Sequence, residues 1–144
     1  MSIEIGLLEP LSRAIALRLI QSFPNIDRQF AADNGVLTVT WPSVNPSVSE
    51  SLMLRCAGEP SLWWFRGYMY DFVGRGSDEV TADAIAEFLE RFFEDRIACG
   101  VRFRDGKVAS GGPIWFDEEV WPNSSSWTAA DVVIRSWRGS KDRD

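Results

Sequence analysis

Imidazoles, thiols and carboxylates carry most enzymatic proton transfer and nucleophilic attack. This chain of 144 residues contains no histidine. Ser-His-Asp and Cys-His arrangements, imidazole bases and all His-containing metal sites are therefore ruled out. The thiols are Cys56 and Cys99, each inside an apolar stretch. Two thiols cannot build a Cys₄ centre, and such settings suit buried packing groups; a disulfide between them stays open at this level. Carboxylates remain, 21 in all. A pair can cleave a glycosidic bond when held about 5–10 Å apart across a cleft. No spacing singles out such a pair. Asp71, between Tyr70 and Phe72, reads as a turn acid whose aromatic neighbours could shift its pKa. Gly74-Arg75-Gly76-Ser77 lacks the Gly-x₄-Gly-Lys spacing and the preceding strand of a phosphate loop. No cofactor is expected.

Charge restricts partners as well. The net charge is −6. Phosphate-backbone binding needs clustered Lys and Arg, so nucleic acid is disfavoured and a basic protein partner is favoured. No apolar run reaches the ~20 residues of a membrane helix. The first residues show no basic segment followed by an apolar one, so a cytoplasmic location is expected. With 45% hydrophobic and 25% charged residues, the composition is that of a folded globular domain.

The elements that must position these groups can be read from periodicity and turn signals. Pro10 suits a helix's first turn, and Phe23-Pro24 ends it, which predicts a helix over 9–23. Asp33-Asn34-Gly35 is a turn. Val36–Trp41 is a strand, 42–50 a loop, and residues 52–57 and 62–70 are two further strands. Thr81 is the expected cap of a second helix. There Ile85, Phe88, Leu89, Phe92 and Phe93 follow the i, i+3, i+4, i+7, i+8 pattern. Residues 97–104 and 107–110 form a hairpin around Asp105-Gly106, and Gly111-Gly112-Pro113 should break the ladder. The β-branched residues of 131–137 favour a last strand over the helix that Thr128-x-x-Asp131 would cap. The expectation is one α+β domain over 1–138, with an antiparallel sheet of about five or six strands and two helices packed on one face. Residues 139–144 are expected to be a fraying polar tail.

Two surfaces could carry function. Strict alternation along 62–70 puts Trp63, Phe65, Gly67 and Met69 on a core face and Trp64, Arg66, Tyr68 and Tyr70 on the other. With Arg55, Arg102 and Arg104, the second set makes a helix-free face rich in the Trp, Tyr and Arg of interface hot spots. The second surface is acidic. Asp83, Glu87, Glu90 and Glu94 recur at i, i+4, i+7 and i+11, one outward line on the second helix, which Asp78, Glu79 and Asp95 extend. Asp117, Glu118 and Glu119, among Trp115, Phe116 and Trp121, form another interface-like mixture. The plainer reading of each surface is an ordinary solvated face.

Residues 50–112 resemble small bacterial immunity proteins that neutralise polymorphic or contact-delivered toxins. The resemblance lies in Leu62-Trp63-Trp64-Phe65-Arg66-Gly67-Tyr68, the acidic helix Ala84–Arg96 and the segment Ile97–Lys107. It implies a non-enzymatic inhibitor that covers a toxin's active site, and it transfers no individual site residue. The expected function is thus a protein-binding module with a basic partner. The rival readings are a single-stranded nucleic-acid binder using the Arg and aromatic face, a small enzyme with a carboxylate or thiol centre, and a structural subunit.

Overall fold

The computed structural model describes residues 3–72, 76–116 and 131–144. Among the described residues, two α-helices and eight strands follow in the order α1 (Pro10–Ser22), β1 (Phe30–Asp33), β2 (Val36–Trp41), β3 (Leu52–Arg55), β4 (Ser61–Trp64), β5 (Gly67–Asp71), α2 (Asp78–Phe93), β6 (Ile97–Arg104), β7 (Lys107–Trp115) and β8 (Val132–Ser136). The architecture is α+β and antiparallel, as expected. The strands divide into a five-stranded meander, β1 to β5 in order, and a three-stranded sheet ordered β7-β6-β8.

Local chemistry explains most boundaries. Pro10 opens α1, and its buried stripe of Ile15, Ala16 and Leu19 faces the core. Asn34 and Gly35 both have positive φ, 52° and 79°, which a two-residue hairpin of matching twist requires. That turn joins β2 to β1. The sequence gives little sign of β1, because Phe30-Ala31-Ala32-Asp33 lacks β-branched residues and exposes all but Phe30.

Three expectations are corrected. Residues 62–70 are not one strand. The chain reverses at Phe65-Arg66, so that Trp64 pairs with Gly67, and Arg66 sits at φ 63°. The Arg66 N–H donates to Glu50 Oε2 at 2.9 Å, which helps hold the turn. The cap of α2 is Ser77, whose Oγ accepts from the Val80 N–H at 3.2 Å; Thr81 lies buried inside the helix. Gly111-Gly112-Pro113 does not break the ladder but continues β7, with Pro113 opposite Cys99. Because β7 ends its sheet, the missing proline N–H faces away from β6 and costs no ladder bond. A Cβ on Gly111 would lie 3.4 Å from the Gly100 carbonyl oxygen and 3.8 Å from that of Tyr68, so glycine lets β7 run close between β6 and β5.

The polar tail also differs from expectation. Arg143 exchanges backbone hydrogen bonds with Ile134, donating at 2.9 Å and accepting at 2.7 Å. Residues 139–144 are therefore fastened beside β8.

The core centres on α2. Phe92 is fully buried; its ring meets Trp64 of β4 at 5.2 Å and Trp137, just past β8, at 5.8 Å. Phe88, one turn earlier, meets Tyr70 of β5 at 5.1 Å and Trp115 of β7 at 5.3 Å. One helix thus joins both sheets through aromatic contacts, each adding about 0.5–1.5 kcal/mol beyond area burial. Phe92→Ala should cost about 3–5 kcal/mol. Guanidinium unfolding followed by tryptophan fluorescence and far-UV circular dichroism should show both probes shifting together. A loss under about 1 kcal/mol, or two separated transitions, would show that the sheets do not depend on this helix.

Candidate functional site

The acidic line survives folding. Asp83, Glu87 and Glu94 are exposed on α2 and Glu90 is half-buried. Asp83 accepts from the Arg18 Nε of α1 at 2.8 Å, and Glu94 lies 3.5 Å from Arg96. Glu87 and Glu90 form no ion pair with a described residue. Asp78 and Glu79 sit in the first turn, where the helix dipole welcomes acids. Glu90 and Glu94 sit at the other end, where it disfavours them. Asp95 is not part of this line. It is buried directly after the helix, at φ 61°. Asp117, Glu118 and Glu119 lie outside the described residues.

The sheet face is rearranged by the Phe65-Arg66 turn and by a bulge. Trp64 points inward and is 1% exposed, with Phe92 and Trp137 as ring neighbours. Its Nε1 has no hydrogen-bond partner among the described residues. The register shift beside Leu62 pairs Tyr68 with Trp63 and Tyr70 with Leu62. Tyr70 therefore stacks on Phe88 of α2, whereas Tyr68 stays 45% exposed. The open face is instead built by Trp63 and Tyr68, ring centroids 5.5 Å apart, with the Arg55 guanidinium 4.5 Å over the Trp63 ring. Arg66 is exposed at the turn, its guanidinium 5.2 Å from the Phe103 ring. Arg102 reaches Asp131 at 3.5 Å, and Arg104 is exposed. Partial burial, and then the nearby Asp71 carboxylate, push the Tyr68 phenol above its ordinary pKa. The strand alternation seen in the sequence was real, but a turn inside it exchanged Trp63 for Trp64.

Two recesses flank the exposed face of α2. One, of about 210 Å³, is walled by Tyr70, Phe72, Phe88 and Trp115, with Glu87 and Arg91 at its rim. The other, of about 370 Å³, runs between α1 and α2 past Ala14, Leu17, Arg18, Glu79, Ala82 and Asp83. Neither was visible in the sequence, because each depends on which helix faces pair.

Both thiols and two of the carboxylates are taken up by the fold. Cys56 and Cys99 are free and buried, and burial pushes both thiols up to about 12. Among the described residues, no three acids or thiols gather where they could hold a metal ion. No helix among them is long and apolar enough to cross a membrane. Two carboxylates are brought together, Asp95 and Asp142, and both serve as fasteners. Asp95 accepts from the Arg138 N–H at 2.8 Å, the Ser140 N–H at 3.1 Å, and the hydroxyls of Ser136 at 3.1 Å and Ser140 at 2.5 Å. Asp142 accepts from the Ser136 N–H at 2.9 Å and from the Asn45 side-chain amide, which also donates to the Ser136 carbonyl at 2.7 Å. Burial alone would raise the Asp95 carboxyl; the donors from Ser140, Arg138 and Ser136 outweigh it and hold the carboxyl below its ordinary pKa. A general base works best near the operating pH, so this carboxylate is poorly suited to proton transfer.

No protein-family model, curated protein or solved structure matches this chain. Functional conclusions therefore rest on its own residues.

Asp95 ionises more readily in the folded state than an ordinary carboxyl. Its stabilising contribution is complete above the unfolded value of about 3.9 and is lost as pH falls through the folded value. Asp95→Asn should cost about 2–3 kcal/mol at pH 7, and the gap to wild type should narrow in urea melts below about pH 4. An equal gap at both pH values would refute the ionised clasp. Both thiols should resist Ellman's reagent in the native protein and react on unfolding; rapid native labelling would contradict their burial.

Proposed function

We propose that this chain is a non-enzymatic protein-binding module that docks a basic partner on the acidic face of α2, acting as a bacterial immunity protein against a toxin. The observation that carries this reading is the placement of Glu87, Glu90 and Glu94. Like charges three or four residues apart cost a few tenths of a kcal/mol per pair. Acids in a helix's last turn cost a similar amount against the dipole. Arg91, four residues after Glu87, and Arg96, 3.5 Å from Glu94, relieve this repulsion only in part. A basic surface arriving at this face would reverse the sign of each term. The aromatic contacts behind α2 hold the carboxylates on a rigid support, which limits the ordering cost of binding.

A second reading rests on Trp63, Tyr68 and Arg55. An exposed Tyr and a half-buried Trp beside guanidinium groups resemble the way some sheets stack single-stranded bases. The net charge of −6 opposes it. Titration with single-stranded oligonucleotides at low salt separates the two, since saturable binding weakened by Trp63→Ala would favour nucleic acid.

The protein reading is tested by calorimetry against the product of the neighbouring gene. Glu87→Gln with Glu90→Gln should raise stability by about 0.5 kcal/mol. The same variant should weaken the partner at least about tenfold and flatten the salt dependence of association. Unchanged binding in that variant would remove the α2 face from the account.

A further inference from the structure

We infer that the groove between α1 and α2 receives an amphipathic helix whose polar flanks are basic. This rests on the reading of α2 as the docking face and specifies the structural form of the partner. Three observations converge on the groove.

The first is shape. Ala14 of α1 and Ala82 of α2 face each other with short side chains, which leaves a furrow of about 370 Å³ bordered by the longer Leu17 and Glu79. A furrow between two packed helices is the setting in which a third helix lays its side chains into existing ridges.

The second is exposed apolar surface. Leu17, which lines the furrow, is 49% exposed; flanking the lining, Ile20 of α1 is 39% exposed and Val80, next to Glu79 on α2, 48% exposed. Elsewhere α1 buries Ile15, Ala16 and Leu19 in the core. Leu17 and Ile20 therefore leave apolar surface on this helix that the described residues do not bury.

The third is charge. Arg18 is the groove's basic side chain, and it is already paired with Asp83 at 2.8 Å. Glu79 also lines the groove and forms no ion pair with a described residue, so Glu79, Asp83 and Arg18 together leave the groove net negative. Apolar surface framed by carboxylates fits Leu or Ile at i, i+3, i+4 and i+7 with Lys or Arg on either side. A second copy of this chain is a poor occupant, because a twofold contact here would bring Glu79 towards its own copy. An anionic bilayer or a nucleic acid would be repelled by the same carboxylates.

The test uses two synthetic peptides of identical leucine and lysine composition. One is amphipathic at helical period and the other is permuted to destroy the period. Each is titrated into the ¹⁵N-labelled full chain. The expected result is saturable shifts at Ala14, Leu17, Glu79 and Ala82 with the periodic peptide alone. Leu17→Asp and Val80→Asp, both at exposed positions, should each weaken it by at least about tenfold while leaving the amide spectrum elsewhere unchanged. Equal binding of the permuted peptide would overturn the groove and leave the acidic-face reading standing, since charge alone would explain it. If neither peptide perturbs α2, the acidic-face reading falls with it. A concentration-dependent dimer abolished by Leu17→Asp would also overturn the inference, by assigning the groove to a second copy.

Discussion

The stacking of α2 against both sheets is the contact on which the other features depend. Phe88 and Phe92 lie one turn apart, and each meets one ring from the five-stranded meander and one from beside or within the smaller sheet. Remove the helix and the two sheets lose the aromatic contacts that join them, leaving α1 packed on the meander alone. The rings are mostly perpendicular or tilted, the arrangement that the aromatic quadrupole favours. Because most apolar positions of α2 are committed inward, its outward positions are left largely to polar groups, and acids fill many of them.

That division explains what the sequence made legible. The α2 pattern names its own buried face, so the opposite line of Asp83, Glu87, Glu90 and Glu94 followed from helical period alone. Val36–Trp41 was equally readable, because β-branched residues between a turn and a proline leave few alternatives. The third strand was not. Leu62 to Tyr70 carries no Asn-Gly or Pro-Gly, and the turn there is made by Phe65 and Arg66, with Arg66 left-handed. Arg66 has no local signature for that conformation; the preceding strands and its hydrogen bond to Glu50 impose it. One hidden turn and one bulge were enough to bury Trp64 and to leave Trp63 half-buried on the open face in its place.

Asp95 shows the complementary limit. In sequence it continues an acidic run, and its neighbour Glu94 is exposed. Its burial depends on Ser136, Arg138 and Ser140, some 40 residues later, a distance that periodicity cannot reach. The candidate surfaces divide in the same way. The acidic face is a property of one helix and could be read locally, whereas the α1–α2 furrow exists only because two helices separated by five strands pack side by side.

The hydrogen bond from Asn45 to Asp142 closes a loop of 97 residues. Closing so long a loop gains nothing until the helices and hairpins between have already collapsed. The clasp is therefore a late event on the folding path, largely unformed in the transition state. Contacts of that kind govern how slowly the native state opens and have little influence on how quickly it is reached. The polar residues at the end of the chain act as a brake on unfolding, and so set the lifetime of the rigid acidic helix they secure.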